Sequence, residues 1–599
     1  MKKPLQHTCL KSTFCLLALT FIILPFQKEA AAQYAHTLGG SSFDQGTEVG
    51  MDFAGNAYFI GEFKDTLDFD PSASTQLLKN FNTDVFVASY NELGALRFAF
   101  KISGNAASHE GAGDIAVASD GDFVITGSQP FGSIDFDADP LEEMVRVGEL
   151  YIAGYNSDGE VRFAVSPGGG KNTSAGKGNA VALDDEGNVY ATGFFATTFD
   201  FNPADTTGIV SNAGSGDSFL ASYTESGAYR YAFSFGGEGF DYGSDIGVDS
   251  EGNVYIAGYF YGEAFFDPND VNQDGDREAR VAVDNSDMFL VSYDKNNAFR
   301  FVYTFEGTSR IETSKKVALS IDGSDNVYIS GESFGTVAFD PEDTNSDGNV
   351  VNRTAEPLGS AFLASYDPNG WIRFATVLKG GASHSSDVFV DIVGISYITG
   401  GFNGDIDFDP NIGEAVLSSS RGSDVFVASY DSEGAYRTAF QLPSTGLSSG
   451  TGITADSFQN IVLTGGFGGE FDMDQGAGED WRTGAGQDDI FMARFEAGGR
   501  VSVGIETLDE KPGDFTASTP YPNPFVSQTA FNLSVDDASE LSIAVFDLLG
   551  REVMQLHKGM LPAGTHQFVW DGDNTPNGLY LIRIEDGRQT KILRSVRMR

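Results

Sequence analysis

The chain has almost no cysteine. Only two of its 599 residues are cysteines, Cys9 and Cys15, and both lie in the first 32 residues. Since that segment has the composition of a cleaved leader, we expect the mature protein to have neither disulfides nor thiol chemistry. An exported protein of this kind depends on its hydrophobic core, on closure of its sheets or on metal ions for stability.

The amino-terminal segment has the features of a secretory signal peptide. Lys2, Lys3 and Lys11 give it a positive start, an apolar stretch follows at residues 14–26, and alanines at residues 30–32 offer a cleavage site. The apolar stretch is too short to span a bilayer comfortably, and no later run is long and apolar enough. We predict a signal peptide at residues 1–32 and no transmembrane segment in the mature chain.

Basic residues are scarce as well. The chain has 37 Lys and Arg against 85 Asp and Glu, which gives a net charge of −48 at pH 7. Such a surface repels nucleic acid and anionic membranes, and it attracts divalent cations. We therefore expect no nucleic-acid partner. The alternative is that most of these charges only keep the exterior of the protein solvated.

Helical periodicity is absent from most of the chain, and a short motif recurs there instead. The motif reads D-x-F-V-A-S-Y or a close variant, and successive copies end 64 to 73 residues apart. A nearly constant period of this length indicates one supersecondary unit used repeatedly. The copies end at Tyr90, Tyr155, Tyr223, Tyr293, Tyr366, Tyr430 and Phe495.

A second motif, typified by G-N-V-Y-I-A-G, occurs once in each unit. Its copies begin at Gly55, Gly121, Gly187, Gly252, Asp325, Gly394 and Gln459. Around both motifs, β-branched and aromatic runs are separated by Gly, Asn, Asp and Ser, which is typical of strands and turns. Four such runs in each of seven units predict an all-β chain with a seven-bladed β-propeller at residues 33–495.

The two ends of the repeat array complement each other. Residues 34–40 (YAHTLGG) look like a fourth strand without three strands before it, whereas the last unit has its first three strands. We predict that the amino-terminal strand completes the last blade and so removes an exposed sheet edge. The alternative fourth strand is the segment at residues 500–503.

The unit resembles the bacterial β-propeller repeat family. Residues 217–258 follow that family's pattern almost position by position, and the resemblance extends over about residues 34–495. It implies the propeller fold. It implies no catalytic residue, because the family shares none.

Two of the units carry longer insertions, and both insertions contain the pattern D-x-N-x-D-G. Calcium prefers several oxygen ligands at once, which acidic and amide side chains at alternate positions supply, and Gly allows the sharp turn. The pattern resembles calcium loops but lacks the bidentate Glu of an EF-hand, so we predict a weak, structural Ca²⁺ site in each. The alternative is a solvated turn. The candidate ligands are Asp270, Asn272, Asp274 and Asp276 in one loop and Asp343, Asn345 and Asp347 in the other.

A third recurring element is D-F-D-P, as at residues 68–71 and 407–410. Alternation places Phe on one face and the carboxylates on the other. We expect the Phe to pack between blades and the Asp to begin a turn. The alternative is a ring of carboxylates that binds cations or sugars.

Catalytic motifs are missing. His36, His109 and His384 do not have metal-ligand spacing, and no nucleophile motif or phosphate loop occurs. Because acidic residues are so abundant, no particular carboxylate pair for glycoside hydrolysis can be selected from the sequence. We predict no catalytic and no cofactor-binding residue.

The composition changes after Phe495. Residues 496–519 read as a linker, and alternating strands in residues 520–599 predict a small Ig-like β-sandwich. This module resembles the carboxyl-terminal sorting domain (type A) of type IX secretion cargo. The resemblance rests on Tyr521, Pro522, Asn523, Pro524 and Phe525, and on later motifs such as Trp570-Asp571-Gly572 and Asn577-Gly578-Leu579-Tyr580.

The sorting-domain resemblance implies export through the type IX secretion machinery, to the medium or to the outer cell surface of a Gram-negative bacterium. Together with the propeller, it predicts a binding or adhesion scaffold for a glycan, matrix or protein ligand. One alternative is an extracellular polysaccharide-active enzyme with a carboxylate pair in the propeller funnel. Another is a structural surface-layer component.

Overall fold

The computed structural model contains only β-strands in the residues that it describes. These are residues 32–597 without 81, 105–109, 130–132, 138–143, 169–174, 269–276, 306–315, 341–350, 393, 411–412, 457–458, 475–478, 496–514, 518–519, 521–524, 526, 536–537, 547–551, 573–574, 576–577 and 586–589. No helix in this part of the chain is long and apolar enough to cross a membrane.

The strands of the repeat region follow the predicted units. The first is β1 (Ala32–Leu38). The next twelve are β2 (Gln45–Met51), β3 (Ala57–Phe63), β4 (Thr66–Asp68), β5 (Leu77–Lys79), β6 (Asp84–Tyr90), β7 (Leu96–Gly104), β8 (Gly111–Val117), β9 (Phe123–Ser128), β10 (Ser133–Asp135), β11 (Val145–Val147), β12 (Leu150–Tyr155) and β13 (Val161–Val165). The following ten are β14 (Gly176–Leu183), β15 (Val189–Phe195), β16 (Phe199–Asp200), β17 (Ile209–Val210), β18 (Asp217–Tyr223), β19 (Tyr229–Gly237), β20 (Tyr242–Val248), β21 (Val254–Phe265), β22 (Ala279–Tyr293) and β23 (Phe299–Phe305). The rest are β24 (Ala318–Ile321), β25 (Val327–Ser333), β26 (Thr336–Ala338), β27 (Asn352–Thr354), β28 (Ser360–Tyr366), β29 (Ile372–Val377), β30 (Lys379–Val390), β31 (Ser396–Asp407), β32 (Val416–Tyr430), β33 (Tyr436–Leu442), β34 (Ser448–Ala455), β35 (Ile461–Phe467), β36 (Glu470–Asp472), β37 (Trp481–Thr483) and β38 (Asp489–Phe495).

Seven antiparallel four-stranded blades result, which confirms the predicted propeller. In order from first to fourth strand, they are blade 1 (β2, β3, β6, β7), blade 2 (β8, β9, β12, β13), blade 3 (β14, β15, β18, β19), blade 4 (β20 to β23), blade 5 (β24, β25, β28, β29), blade 6 (β30 to β33) and blade 7 (β34, β35, β38, β1). Apolar side chains between successive blades form the core.

Blade 7 is completed by the amino-terminal strand, as predicted. β1 pairs antiparallel with β38 in a register that sets Ala35 opposite Ala493 and His36 opposite Met492. The segment at residues 500–503, which was the alternative, lies outside the described residues. The ring therefore closes by pairing strands more than 450 residues apart in the chain, as the partners Tyr34 and Arg494 show.

The two aromatic motifs are joined by a hydrogen bond in six blades. The tyrosine that ends each D-x-F-V-A-S-Y copy is buried, and its hydroxyl donates to the carbonyl of the D-F-D-P phenylalanine over 2.7–3.1 Å. Those phenylalanines are buried too, as expected. The donor and acceptor pairs are Tyr90 and Phe69, Tyr155 and Phe136, Tyr223 and Phe201, Tyr293 and Phe266, Tyr366 and Phe339, and Tyr430 and Phe408.

The first Asp of D-F-D-P begins a turn, also as expected. In blade 1, Oδ1 of Asp68 accepts the backbone N–H groups of Asp70 and Gln76, at 3.2 and 2.8 Å. Oδ1 of Asp407 in blade 6 accepts those of Asp409 and Ala415 in the same way, at 3.0 and 2.9 Å. These carboxylate oxygens therefore hold backbone groups of a turn.

Short hairpins between the second and third strands lie against the outer edge of the blades. The Arg146 side chain in β11 donates to the carbonyl of Ala164 at 2.8 Å, and Arg353 in β27 donates to the carbonyl of Ala375 at 2.7 Å. Ala164 and Ala375 occupy matching positions in fourth strands. Such bonds satisfy edge carbonyls that another chain could otherwise pair with.

Arginines at the start of fourth strands link successive blades. They lie at the end of the blades opposite to the end at which the outer hairpins begin. Arg300 of blade 4 donates to the Tyr255 hydroxyl and to Ser292 Oγ, both at 2.8 Å, and to the carbonyl of Pro368 in blade 5 at 2.7 Å. Arg97 and Arg373 make the corresponding bonds from blades 1 and 5. The link thus recurs with the repeat.

The carboxyl-terminal unit contains two antiparallel sheets. Its strands are β39 (Phe515–Ala517), β40 (Gln528–Val535), β41 (Ser539–Phe546), β42 (Glu552–Leu561), β43 (Gly564–Asp571), β44 (Gly578–Glu585) and β45 (Thr590–Arg597). The sheet orders are β39-β40-β43 and β42-β41-β44-β45, and one core that includes Leu533, Ile543, Trp570 and Ile582 joins them. β39 lies inside the segment predicted as a linker; the Ig-like topology and the domain boundaries stay predictions.

Candidate functional site at the propeller axis

The first strand of each blade lines the propeller axis. At one equivalent position of this strand, several blades have an acidic residue. In six blades a β-bulge comes immediately before this position. Cross-strand register identifies the position in every blade as Glu48, Asp114, Ala180, Asp245, Ala318, Asp387 and Gly452. Blades 1, 2, 4 and 6 thus supply a carboxylate, and blades 3, 5 and 7 supply a small residue.

Each aspartate of this set reaches the next blade. Asp114 accepts the Val181 N–H at 2.9 Å, and Asp245 accepts the Leu319 N–H at 2.8 Å. Asp387 accepts the Ile453 N–H at 2.8 Å. Blade 2 is therefore bridged to blade 3, blade 4 to blade 5 and blade 6 to blade 7, and the remaining blade, blade 1, contributes Glu48.

The Lys316 ammonium lies among these carboxylates. Its Nζ is 3.0 Å from Glu48 Oε2, 3.5 Å from Asp245 Oδ2 and 3.9 Å from Asp387 Oδ1. Those acids belong to blades 1, 4 and 6, which are spread around the ring, so the ammonium lies near the axis. We call Glu48, Asp114, Asp245, Asp387 and Lys316 the axial cluster.

Burial makes Glu48, Asp114 and Asp245 hard to ionise. It raises the pKa of Glu48 well above its usual range, helped by repulsion from Asp387, and it raises the pKa of Asp245 to about 7. The pKa of Asp114 is raised for the same reason. Burial alone would lower the pKa of Lys316, but the surrounding carboxylates hold that pKa well above its usual value. The cluster therefore keeps its cation and shares protons among its acids.

A second layer of side chains surrounds the axis where the first strands begin. We call this layer the channel mouth. It contains cross-strand partners from first and second strands, which are Gln45 with Glu62, Lys177 with Phe194, and Tyr242 with Tyr259. It also contains His384 and Ser449, whose cross-strand partners are glycines.

Contacts run around the channel mouth from blade to blade. Nε2 of His384 lies 3.2 Å from Ser449 Oγ. The ring centroids of Phe194 in blade 3 and Phe240 in blade 4 are 4.9 Å apart, and within blade 4 those of Tyr242 and Tyr259 are 5.5 Å apart. Tyr242 and Tyr259 are buried, whereas Phe194 and Phe240 are partly exposed, so the mouth offers these two rings beside hydrogen-bonding groups, which is the usual make-up of small-ligand sites.

The sequence-predicted site residues lie mostly outside the described residues. This applies to all seven calcium candidates, to His109, and to Tyr521, Pro522, Asn523 and Pro524. Phe525 is described; it is buried and packs on Trp570 with ring centroids 4.9 Å apart. His36 contacts the Gly94 carbonyl at 3.0 Å and stacks on Tyr34. In the described part of the chain, no group of three His, Cys, Asp or Glu side chains is arranged to hold a metal ion.

Sequence reasoning missed the axial cluster. One signal could have revealed it: Lys316 stands where the matching positions of blades 1, 3, 4 and 7 have glycine, at Gly46, Gly178, Gly243 and Gly450. A long cation in place of glycine on an inner strand has no local role, so it points toward the axis.

Two family models match parts of the chain. The model of the secretion system C-terminal sorting domain matches residues 519–596, and that of the β-propeller repeat matches residues 235–259. No curated protein matches the sequence.

Solved structures with similar folds are distant from this chain. A fungal alcohol oxidase in complex with copper is 10% identical over 80% of this chain and 95% of its own, with a TM-score of 0.25. PorZ, a surface component of the type IX secretion system of Porphyromonas gingivalis, is 12% identical over 94% and 100%, with a TM-score of 0.17. A Bacteroides caccae protein of unknown function is 9% identical over 49% and 89%, with a TM-score of 0.20. These low scores support no functional comparison. The chain is a β-propeller protein with a type IX sorting domain at its carboxyl end, and it is exported to the cell surface or secreted.

Proposed function

We propose that the protein is an extracellular binding protein and that its ligand occupies the channel mouth. The observation that carries this proposal is the Lys316 ammonium near the axis, bound by carboxylates from three blades. Because this cation obstructs the axis beneath the mouth, the mouth is a recess rather than the entrance to an open channel.

A neutral glycan suits the mouth best. Sugar rings present apolar C–H faces to aromatic side chains and hydroxyls to polar ones, and the mouth offers both kinds of group. Phe43, which precedes β2 at the same end of the blade, is 42% exposed and adds an apolar surface at the rim. The net charge of −48 disfavours polyanionic glycans.

Retention on polysaccharides tests this proposal. The full-length protein, with calcium present, is passed over immobilised neutral polysaccharides whose reducing ends have been reduced with borohydride. We expect saturable retention that Phe43→Ser weakens about tenfold, the effect of losing about 1.4 kcal/mol of contact. The matched control is Phe53→Ser, because Phe53 is 59% exposed and follows β2 at the opposite end of the same strand.

The same experiment separates the alternatives. Reduced polysaccharides have no reducing ends, so any that appear are newly formed and would support the polysaccharide-active enzyme. Absence of both retention and release would overturn the glycan proposal in favour of a protein-binding or structural surface component. Equal weakening by Phe43→Ser and Phe53→Ser would show that binding does not occur at the mouth.

We also propose that the long loops of blades 4 and 5 bind calcium. In these two blades the turn-forming Asp of D-F-D-P is replaced by Phe265 and Ala338, so the carboxylate that closes the hairpin in other blades is missing. Asp267 and Asp340, two residues further on, are each only 2% exposed at the start of the loops. A calcium ion bound by the D-x-N-x-D-G loop would take the place of that carboxylate.

Thermal unfolding with and without calcium tests this second proposal. Calcium at about 1 mM should raise the melting midpoint over that in EDTA, since a ligand that binds only the folded state stabilises it. Asp274→Asn combined with Asp347→Asn should remove most of that gain, whereas Asp120→Asn, in a turn of blade 2, should leave it intact. An equal midpoint in calcium and EDTA would contradict the proposal.

A further inference from the structure

The channel mouth contains a lysine whose charge the structure does not balance closely. Lys177, the second residue of β14, is half-buried and lies opposite Phe194. Lys316 makes three ion pairs, whereas Lys177 makes none with the described residues. The groups that act on it electrostatically are Glu62 of blade 1 and Lys316.

Glu62 faces the mouth from the other side. Its Oε1 accepts the Ala112 N–H at 3.1 Å, which fixes the carboxyl group between blades 1 and 2. Besides Lys177, it acts on the Tyr151 hydroxyl. The aromatic pair Phe194 and Phe240 borders Lys177 from blades 3 and 4, with centroids 4.9 Å apart. An amine and an acid thus lie in the same layer of the channel mouth, beside a pair of aromatic rings.

The environment moves both groups toward their uncharged forms. Burial lowers the pKa of Lys177, and Lys316 lowers it further against the opposing pull of Glu62. Burial raises the pKa of Glu62, against the attraction of Lys177 and the Ala112 N–H. A neutral amine is a nucleophile, and a neutral carboxyl group is a proton donor.

We propose that Lys177 captures carbonyl compounds as an imine, in particular the open-chain aldehyde at the reducing end of a sugar, and that Glu62 acts as the acid. The amine nitrogen adds to the carbonyl carbon, and the nitrogen's proton passes to the oxygen to give a carbinolamine. Glu62 then donates a proton to the departing hydroxyl, which leaves as water while the carbon–nitrogen double bond forms. The nitrogen's remaining proton returns to Glu62, so no oxidant or reductant is required.

This inference deepens the proposed function, because it assigns the reducing end of a glycan to the mouth. Phe194 and Phe240 would contact the apolar face of the sugar, and the aldehyde would be directed to the amine between them. Imine formation is reversible in water, so the site would retain reducing ends longer than internal segments.

Reductive trapping tests the inference on the full-length protein. The probe is D-glyceraldehyde with sodium cyanoborohydride, which converts an imine to a stable secondary amine that peptide mass mapping can locate. A lowered pKa exposes more free amine near neutral pH. We expect Lys177 to be labelled several times faster than the exposed Lys379 at pH 7, with a smaller ratio at pH 10.

Three variants complete the design. Lys177→Arg keeps a cation beside Glu62 but cannot form an imine, so it should lose the rapid labelling with little change in melting midpoint. Glu62→Gln should slow labelling of Lys177 and change its pH profile, whereas a purely structural Glu62 would leave both unchanged. Lys379→Met is the control and should leave Lys177 labelling as it is.

Labelling spread equally over lysines, or confined to sites other than Lys177, would overturn the inference. The outcome is independent of the binding proposal, since retention is measured on polysaccharides with reduced ends. Retention without Lys177 labelling would refute the imine and leave glycan binding standing. Labelling without retention would support the amine chemistry and refute binding of internal glycan segments.

Discussion

In blade 7 the arginine that links successive blades is Arg494, which lies in the third strand. In other blades the linking arginine lies in the fourth strand. In blades 1, 3, 4, 5 and 6 the third strand has serine at this position, such as Ser292, and the arginine comes from the fourth strand, such as Arg300. The fourth strand of blade 7 is β1, which has no arginine. Arg494 is 1% exposed; it donates to Asp456 Oδ2 at 2.6 Å and to the Gly55 carbonyl of blade 1 at 2.9 Å. It thus links the last blade to the first.

Replacing Arg494 should destabilise the propeller strongly. Arg494→Met leaves the Asp456 carboxylate buried without its cation, which costs about 3–5 kcal/mol in the free energy of unfolding. The control is Arg162→Met, because the Arg162 side chain is 31% exposed in its pairs with Asp122 and Glu225, and surface pairs contribute about 1 kcal/mol or less. Urea unfolding followed by tryptophan fluorescence measures both. Equal losses would contradict the assigned role of Arg494.

The residues that could be predicted from the sequence belong to local patterns. Those that could not be predicted depend on contacts between residues far apart in the chain. The tyrosines that end each motif could be predicted as strand residues, because period-2 alternation and nearby glycines are local signals. The axial cluster could not, since Glu48, Asp245, Lys316 and Asp387 meet only after blades far apart in sequence close into a ring. Burial and ion pairing at the axis are consequences of closure and leave no local pattern.

At the scale of elements, the blades were predictable and the outer hairpins were not. Third strands such as β6 and β28 are buried at every residue, so their apolar runs stand out. The hairpin strands are as short as two residues in β16 and β17, and their exposed residues are polar or apolar without regular order. The sequence therefore showed only a variable segment where the structure has an edge-covering hairpin.

Linking β1 to β38 should stabilise the ring. Ala35 and Ala493 are cross-strand partners, and antiparallel partners have Cα atoms about 4.5–5.5 Å apart, within the range of a disulfide. The variant Ala35→Cys with Ala493→Cys, oxidised after purification, should raise the melting midpoint, because the disulfide closes a very long loop and typically adds about 2–4 kcal/mol.

Two controls make the disulfide experiment decisive for closure. Dithiothreitol should return the midpoint to that of the unlinked protein, since no other disulfide is expected in the mature chain. Deleting residues 33–39 should lower the midpoint by many degrees, because it exposes the edge of β38 and removes Tyr34 from its contacts. Failure of the disulfide to form, or an unchanged midpoint after the deletion, would refute pairing of the chain ends.

At the scale of the whole molecule, burial of acids couples stability to pH. Desolvation raises the pKa of several buried acids, to about 6 for Asp217 and Asp241 and to about 7 for Asp245. The folded state therefore binds more protons than the unfolded state between about pH 4 and pH 7. Since stability falls with rising pH wherever the folded state binds more protons, the propeller should be more stable at pH 5 than at pH 8.

Other titrating groups leave this direction unchanged. The pKa of Lys316 is raised, so its stabilisation is fully present below the usual lysine value and is lost only in alkali. Burial lowers the pKa of His36, which favours folding as pH rises toward the usual histidine value of 6.5, but it is one group opposing several acids. Melting midpoints measured from pH 5 to pH 8 in EDTA at constant ionic strength should therefore decline.

Asp245→Asn identifies how much of that decline comes from the axis. Asparagine resembles the protonated acid and does not titrate, so the variant loses the contribution of Asp245 and relieves the charge repulsion on Asp114 and Asp387. It also loses the Leu319 N–H acceptor, which costs a constant amount at every pH. We expect a lower midpoint at pH 5 and a shallower decline toward pH 8. A midpoint that rises with pH in the native chain, or an unchanged slope in Asp245→Asn, would show that the axial acids are ionised at neutral pH and that Lys316 fully balances their charge.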